Sequence, residues 1–529
     1  MKEIIKRKSR TLVTVLLILA MAMAFTACGD SEEKEKEGDK SVKADTENSI
    51  IYASNDYTRI NPAIDEHGEI NLLLFDGLMG HDEHNKVVPA LAEKYDLDEE
   101  TNTYTFKLRK GVKWHDGNKL TAEDVKFTID AIMDPDNESE IASNYEDVEK
   151  IDVKDDRTIS FKLKDPNVAF LEYMTIGILP KHLLEGKNMQ EDDYFKAPIG
   201  TGPYKFVSWD EGQSIVLKKN EDYWNGEPNI DEIIFKIVPD DNAKALQIES
   251  GEVNFSQLTP KDAKKFKGKD GYDVYEMKTS DYRGIMYNFN NPFWKKNKEL
   301  IHAINCAVDR DAMVKSVIKG EGIPAYGPLA RNEYNDKNIK QESYDPKKAE
   351  RIIKKNGWKK GDDGIYEKDG EKLSFTINCK EGDQVRADLA AVACQELKDI
   401  GVDAKYEVKS EIDWDNQEAF LIGWGSPFDA DDHTYKVFGT GKGNNYNAYS
   451  NKTVDRALTK ARQTSDKAER QKYYSEFQKA MVDDPAYTFF CYVDVNYVSN
   501  KDIEGITEDT ILGHHGVGIF WNVKDWKLK

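Results

Sequence analysis

Histidine and acidic side chains occur in two short runs whose spacing could suit a metal ion. His81 and His84 flank an Asp-Glu pair beside Gly80, and histidines at the start of such a loop usually face solvent. The second run alternates carboxylates as a calcium-binding loop does: Asp134, Asp136, Glu138 and Glu140. It lacks the glycine that the sharp turn of that loop needs. The sequence therefore predicts two solvated loops, no bound metal and no cofactor.

Sequence signatures of enzymes are absent. The chain contains no G-x-S-x-G, no H-E-x-x-H, no G-x-x-x-x-G-K-[ST] and no strand-borne G-x-G-x-x-G. A hydrolase that uses paired carboxylates stays open as an alternative, because such pairs are defined by geometry and not by a motif. The leading prediction is a protein that binds its target and does not transform it.

The first residues form an export signal. A basic head of Lys and Arg precedes the uncharged, apolar stretch from Thr11 to Ala27, and small residues lead up to Cys28. This order resembles the lipobox of bacterial lipoproteins, in which the Cys is diacylated and becomes the new N-terminus. We expect residues 1–27 to be a signal peptide and Cys28 to anchor the protein outside the cytoplasm. Residues 28–48, almost wholly charged or small, predict a flexible tether.

The overall composition is that of a globular protein. The 529 residues are 39% hydrophobic and 11% aromatic, and the net charge of −22 disfavours nucleic acid as a partner. Four cysteines lie beyond Cys28 without a C-x-x-C pair, so disulfides do not dominate the fold: Cys306, Cys379, Cys394 and Cys491.

Periodicity predicts a mixed α/β fold. The segments 103–108 and 158–163 alternate apolar and polar residues, as half-buried strands do. Thr121 is placed to cap one helix, Asp345 with Pro346 to start another, and Gly401 to end a third whose apolar stripe includes Leu389 and Leu397.

Several blocks in one order resemble the family 5 extracellular solute-binding proteins, the oligopeptide, dipeptide and nickel receptors of ABC importers. The blocks are Tyr52–Pro62 with Asp76-Gly-Leu78, Val88–Ala92, Tyr104–Gly117 with Leu120–Val125, Gly200–Tyr204, Asn220–Pro228, Ala307–Arg310 and Tyr344–Ala349 with Gly357-Trp358. The loops at Arg109–Gly117 and Asn220–Pro228 consist of turn formers and aromatics, so we expect them to be structural.

The resemblance implies a type II periplasmic-binding-protein-like fold, with two hinged lobes and an extra subdomain on the first. It places lobe I at residues 49–76, 200–290 and 498–529, the extra subdomain at 77–199, and lobe II at 291–497. It also implies a monomer that closes on its solute and docks on the permease subunits of an ABC importer.

The same resemblance points to the stretch from Gly423 to Asp429 as the ligand site. In the peptide receptors an Asp there holds the peptide's α-ammonium, a role that falls here to Asp429. Gly423 and Gly425, on either side of Trp424, leave room for an extended peptide to pair with the backbone. Further candidates for the cleft are Tyr57, Arg283 and Tyr446.

Alternatives to a peptide receptor remain. The stretch also resembles the loop of the nickel receptors, and His433, four residues after Asp429, would then supply an imidazole to a metal chelate. Use of the same fold for signalling, and an envelope hydrolase, are the more distant hypotheses. A peptide is the predicted ligand.

Overall fold

The computed structural model describes residues 47–65, 68–513 and 518–529. The predicted signal peptide, Cys28 and all but the end of the predicted tether lie outside the described residues. The described residues belong to one compact unit. Within the described ranges, every helix is too short or too polar to span a bilayer.

A seven-stranded sheet forms the base of lobe I. Ser49–Ser54 lies at its centre and pairs in parallel with Glu232–Ile237 on one side and Phe255–Leu258 on the other. The apolar side chains of its inner strands are buried in two hydrophobic clusters. The strand order is Asp273–Met277, Val495–Ser499, Phe255–Leu258, Ser49–Ser54, Glu232–Ile237, Ser214–Lys219, Tyr204–Asp210.

A four-stranded antiparallel sheet extends the same hydrophobic core. Thr103–Leu108 buries alternate side chains, and Thr158–Leu163 buries the predicted Ile159, Phe161 and Leu163 together with Ser160. The neighbouring helix Ala122–Met133 begins with the expected Thr121 cap, which Asp124 completes as a capping box. The strand order is Ala92–Asp98, Thr103–Leu108, Thr158–Leu163, Val148–Asp155.

A six-stranded sheet organises a second hydrophobic core. The predicted helices Pro346–Lys355 and Gln384–Asp399 pack on it, and Gly401 follows the second helix with φ of 95°. The four cysteines of the described residues are all free thiols. The strand order is Gly322–Pro324, Tyr487–Val493, Tyr282–Tyr287, Ala419–Trp424, Ser374–Lys380, Asp403–Lys409.

These sheets define two lobes. We call residues 47–277 and 495–529, which carry the seven- and four-stranded sheets, lobe I, and residues 282–493, which carry the six-stranded sheet, lobe II. Tyr282–Tyr287, which the sequence-based limits place in lobe I, pairs inside the six-stranded sheet with all six residues buried. This pairing favours a limit near residue 280 in place of 290.

The chain crosses between the lobes at residues 278–281 and at Asp494, and these two crossings bind each other. Thr279 donates from its backbone N to Asp494 Oδ1 at 3.1 Å and from its hydroxyl to the Val493 carbonyl at 2.6 Å. Arg331 pairs with Asp494 and donates to the Thr279 carbonyl at 2.7 Å. The two crossings therefore form one hinge.

The remaining elements complete the fold. The remaining helices are Asn71–Leu74, Phe170–Tyr173, Lys181–Leu184, Asp241–Ser250, Pro260–Ala263, Pro292–Lys296, Leu300–Ala307, Arg310–Ser316, Asp432–Phe438, Lys452–Arg462 and Lys467–Asp483. Short 3₁₀ helices of the described residues are Pro135–Asn137, Ala142–Tyr145, Asp193–Lys196 and Ile519–Asp525. Small sheets join Met79–His81 to Val87–Pro89, Ile503–Glu504 to Lys527–Leu528, and Lys359–Lys360, Tyr366–Lys368 and Glu371–Lys372 to one another.

Candidate functional site

A small cavity, open to solvent, lies between the hinge and the segment that follows the strand Ala419–Trp424. The first crossing, lobe II and one residue of lobe I line it: Ser280, Pro328, Leu329, Arg331, Asn332, Gly425, Ser426, Pro427, Asp429, Ala430, His433, Thr434, Tyr492 and Ile511. Charged side chains and hydroxyl groups lie beside apolar side chains in the lining of the cavity, a combination that suits a small polar solute.

Gly425 is required by the hinge. A Cβ on Gly425 would collide with the carbonyl oxygen of Ser280, so only glycine lets the two segments lie this close. The strand Ala419–Trp424 pairs with Tyr282–Tyr287 along its whole length, but with Ser374–Lys380 only at Ala419 and Phe420. On that side the ladder ends at Phe420, so a peptide can add to the backbone from Leu421 onward.

Phe428 of lobe II reaches across to lobe I. Its ring lies 5.5 Å from the imidazole of His81, which itself lies 4.9 Å from Trp521. The prediction that His81 faces solvent is wrong, because these two aromatic rings cover it and burial lowers its pKa. His84 is exposed, as expected.

Asp429 already has a cationic partner. Arg470, from the helix Lys467–Asp483, donates to both of its carboxylate oxygens, one bond being 2.5 Å long. The two side chains are 12% and 7% exposed. Burial opposes the charged guanidinium, but the Asp429 carboxylate raises the pKa of Arg470. A peptide ammonium at Asp429 would have to share this carboxylate, and that role stays a prediction.

Glu172 brings a second carboxylate to Asp429 from lobe I. The Asp429 backbone N donates to Glu172 Oε2 at 2.8 Å. Burial, followed by the nearby charge of Asp429, raises the pKa of Glu172 well above its usual range. The segment after Phe428 is thus held from both lobes.

Trp424, His433 and Tyr446 lie together beside the cavity. The Trp424 ring lies 5.4 Å from His433 and 6.0 Å from Tyr446, with which it stacks. Trp414 continues the row at 5.0 Å from Tyr446, and these last two rings are 39% and 40% exposed. The sequence indicated Tyr446 and Trp424 but not Trp414, because a Trp in a polar loop carries no periodic signal.

Arg283 belongs to a buried ion cluster. Its Nη1 lies 2.5 Å from Asp281 Oδ1 and its Nη2 3.9 Å from Asp383, which also pairs with Arg386 at 2.9 Å. A Cβ on Gly423 would lie 2.5 Å from Arg283 Nη1, so this glycine makes room for the guanidinium. The ligand role of Arg283 stays a prediction.

Tyr57 lies apart from these residues. It packs on Phe235 of the seven-stranded sheet, with 6.4 Å between ring centroids. The structure therefore brings together Gly425, Asp429 and His433 at the cavity and Trp424 and Tyr446 next to it, whereas Arg283 and Tyr57 do not line the cavity.

The sequence blocks that carry the family resemblance meet in a separate junction inside lobe I. Asp76 accepts hydrogen bonds from Tyr223 at 2.7 Å and from Trp224 and Thr201 at 2.9 Å each. His115 accepts from the Gly200 backbone N through Nδ1 at 3.1 Å and bonds to the Gly202 carbonyl through Nε2 at 3.0 Å. These contacts give the two turn-rich loops the structural role that the sequence predicted.

Sequence reasoning missed the cavity residues contributed by the first crossing and by loops of both lobes. Ser280, Arg331, Asn332 and, from lobe I, Ile511 come from loops without a motif, and Arg470, the partner of Asp429, occupies a helix rich in similar charged residues. Within the described residues, no group of three or more His, Cys, Asp or Glu side chains could hold a metal ion.

Comparisons with known proteins agree with this architecture. The sequence model of one protein family, described as "Bacterial extracellular solute-binding proteins, family 5 Middle", matches residues 86–446. The oligopeptide-binding protein AppA of Bacillus subtilis is 32% identical over 482 residues, which cover 87% of each chain. The predicted family is confirmed: the chain belongs to the family 5 bacterial extracellular solute-binding proteins.

Two solved structures are similar over nearly the whole chain. NikZ from Campylobacter jejuni in complex with Ni(L-His) has a TM-score of 0.85 and 38% identity, covering 91% of this chain and all of that one (100%). AppA from Bacillus subtilis in complex with a nonapeptide has a TM-score of 0.82 and 30% identity, covering 91% and 99%. The predicted two-lobed α/β fold is therefore confirmed.

Proposed function

We propose that this chain is the solute-binding lipoprotein of an ABC importer, which captures a peptide between its lobes and delivers it to the permease without transforming it. The observation that carries the proposal is the cavity at the hinge, which is lined by Ser280 of the first crossing, by Ile511 of lobe I and by the lobe II segment after Trp424. Solute bound there touches the residues that move when the lobes open, which couples binding to closure.

The cavity wall supports a peptide as the solute. Gly425, Ser426 and Pro427 border the cavity beyond the last paired residue of the strand, where peptide groups of a solute can reach the backbone. Phe428 and Tyr446 offer aromatic surface near them. The similarity to the oligopeptide-binding protein AppA over 87% of both chains also supports this solute class.

A nickel chelate is the second candidate solute. The observation that favours it is the 38% identity to the C. jejuni protein in complex with Ni(L-His), against 30% to the AppA structure in complex with a nonapeptide. His433 lines the cavity and is 5% exposed, a position from which an imidazole can reach a small solute. The metal would be cargo here, not a resident cofactor.

One screen separates these solutes. Thermal unfolding and calorimetry are run with di- to nonapeptides, with free L-histidine, with Ni²⁺ alone and with Ni²⁺ plus L-histidine. Stabilisation by peptides supports the first proposal, and stabilisation only by the nickel–histidine mixture supports the second. No response to any of them contradicts both proposals, and accumulation of peptide fragments with time indicates a hydrolase.

Variants assign the residues. If the carboxylate holds the ammonium, Asp429→Ala should abolish peptide binding. N-acetylated peptides, which lack the ammonium, should then bind the unsubstituted chain no better than unmodified peptides bind the Asp429→Ala variant. For nickel, an alanine scan over all nine histidines identifies which imidazoles bind the chelate. His84→Ala, at an exposed position, is the matched control.

The anchor is tested separately. We propose that Cys28 carries the lipid and that residues 1–27 are removed, so Cys28→Ser should move the protein from the membrane fraction to the soluble extracytoplasmic fraction. Size-exclusion chromatography of a chain starting at residue 29 should give a monomer. A variant that stays with the membrane would contradict anchoring through Cys28.

A further inference from the structure

Arg462 lies where lobe II touches lobe I. It ends the helix Lys452–Arg462, and its guanidinium contacts groups of both lobes. Within lobe II, Nε and Nη2 donate to the Asp431 carboxylate at distances of 2.8 to 3.2 Å. Across the interface, Nη1 donates to Asp147 Oδ2 at 2.8 Å.

Residues of lobe I complete the network around this guanidinium. The Tyr173 hydroxyl donates to Asp431 Oδ2 at 3.1 Å and accepts from Arg462 Nη2 at 3.3 Å. The backbone N of Val168 donates to the Arg462 carbonyl at 3.1 Å. Arg462 is 6% exposed, Asp431 0% and Asp147 19%, so water is largely excluded from these bonds.

Lobe II holds the guanidinium in place by itself. Asp431 binds one edge of it, and the Tyr435 ring lies against its face at 3.6 Å from the guanidinium carbon. Both partners belong to lobe II, so the remaining edge, Nη1, is oriented before lobe I arrives. A group fixed in this way loses little conformational freedom when the lobes close.

We propose that Arg462 and Asp147 form a clasp that holds the two lobes closed and thereby sets how slowly the captured solute leaves. The inference rests on the proposed function, because it concerns the closed form that encloses the solute. Removing one partner of a buried, hydrogen-bonded charge pair acts mainly on dissociation, so breaking the clasp should raise the rate constant for solute release.

A neighbouring ion pair between the lobes provides the control for the clasp. Glu146, next to Asp147 in the chain, also pairs across the lobes, with Lys442 at 2.6 Å. That pair is 38% and 27% exposed, and solvent-exposed pairs contribute little. Asp147→Asn and Glu146→Gln therefore remove equal charge from adjacent positions, one buried in the network and one at its rim.

The first experiment needs no solute. Dyes on Lys150→Cys and Lys467→Cys, both at exposed positions of opposite lobes, report the ratio of closed to open molecules by single-molecule energy transfer. We expect Asp147→Asn to lower this ratio about tenfold or more, Tyr173→Phe about threefold, and Glu146→Gln less than twofold. Equal ratios in all four proteins would overturn the clasp.

The second experiment measures release. Stopped-flow traces with Ala-Ala-Ala and with Ni²⁺ plus L-histidine should show dissociation at least about tenfold faster in Asp147→Asn, with association unchanged. A change in association alone would overturn the proposal. If neither probe binds the unsubstituted chain, the proposed function fails for these solutes and the energy-transfer ratios still decide the clasp. Thermal unfolding within about 2 °C of the unsubstituted chain excludes misfolding of the variants.

Discussion

Arg470 neutralises Asp429 from within the same lobe, through two bonds to the carboxylate that the sequence singled out for a ligand. Both groups are nearly buried, so neither can lose its partner without leaving an uncompensated charge.

Asp429→Asn should therefore destabilise the protein in the absence of any solute. We expect the free energy of unfolding of the ligand-free protein to fall by about 3 kcal/mol, measured by denaturant titration. The control is Glu333→Gln, which removes an exposed pair with Lys467 and should change stability by less than about 0.5 kcal/mol. An Asp429→Asn variant as stable as the unsubstituted chain would indicate that this carboxylate is kept for the ligand alone.

The carboxylate of Asp76 should be more important for stability than that of Asp222, which lies in the loop that Asp76 binds. Asp76→Ala leaves the hydroxyls of Tyr223 and Thr201 and the indole N–H of Trp224 without their acceptor. We expect a loss of about 3 kcal/mol or more in thermal and denaturant unfolding. Asp222→Ala, at an exposed position, is the control and should be nearly neutral. Equal effects of the two substitutions would contradict the structural role of the junction.

His115 should make the protein less stable in acid. Burial lowers the pKa of His115 to about 4, against 6.5 in the unfolded chain. Between these values the unfolded state binds more protons, so the free energy of unfolding falls as the pH drops from 6.5 to 4, by at most about 3 kcal/mol.

His115→Gln isolates that contribution. Its amide can donate to Gly202 and accept from Gly200, as the neutral imidazole does, but it does not titrate. The difference in stability between the unsubstituted chain and this variant should therefore be larger at pH 6.5 than at pH 4. A difference that is independent of pH would show that His115 is not held neutral.

Gly425→Ala should disturb the hinge. The added Cβ would collide with the backbone of Ser280 and Asp281, which cannot move without shifting the first crossing. We expect a lower unfolding temperature by several degrees and weaker solute binding. Gly327→Ala is the control, because a Cβ there meets no atom within 4 Å. Unchanged stability and binding in Gly425→Ala would mean that the two segments can separate freely.

The fold could be predicted further from the sequence than the site could. Alternation in Thr103–Leu108 and the caps at Thr121 and Asp345 depend on neighbouring residues, which the sequence shows directly. Arg283 is a charged residue within the apolar strand Tyr282–Tyr287, and such a position indicates that the side chain needs a buried partner. Asp281, two residues before it, is that partner.

Long-range pairing could not be predicted. Arg470 lies 41 residues after Asp429, and Glu172 lies 257 residues before it. Many carboxylates and cations compete for such pairings, and only the packing of the helices and the closure of the lobes select among them. For the same reason the loops that contribute Ser280 and Arg331 to the cavity carried no signal of their own.

Lobe I is made from two distant parts of the chain, and this has a consequence for biosynthesis. The strand Val495–Ser499 lies between Asp273–Met277 and Phe255–Leu258. The seven-stranded sheet therefore lacks an inner strand until residues 495–499, within the last tenth of the polypeptide, have been synthesised. Lobe II, continuous from residue 282 to 493, meets no such delay. Lobe I, whose synthesis begins first, is therefore completed last.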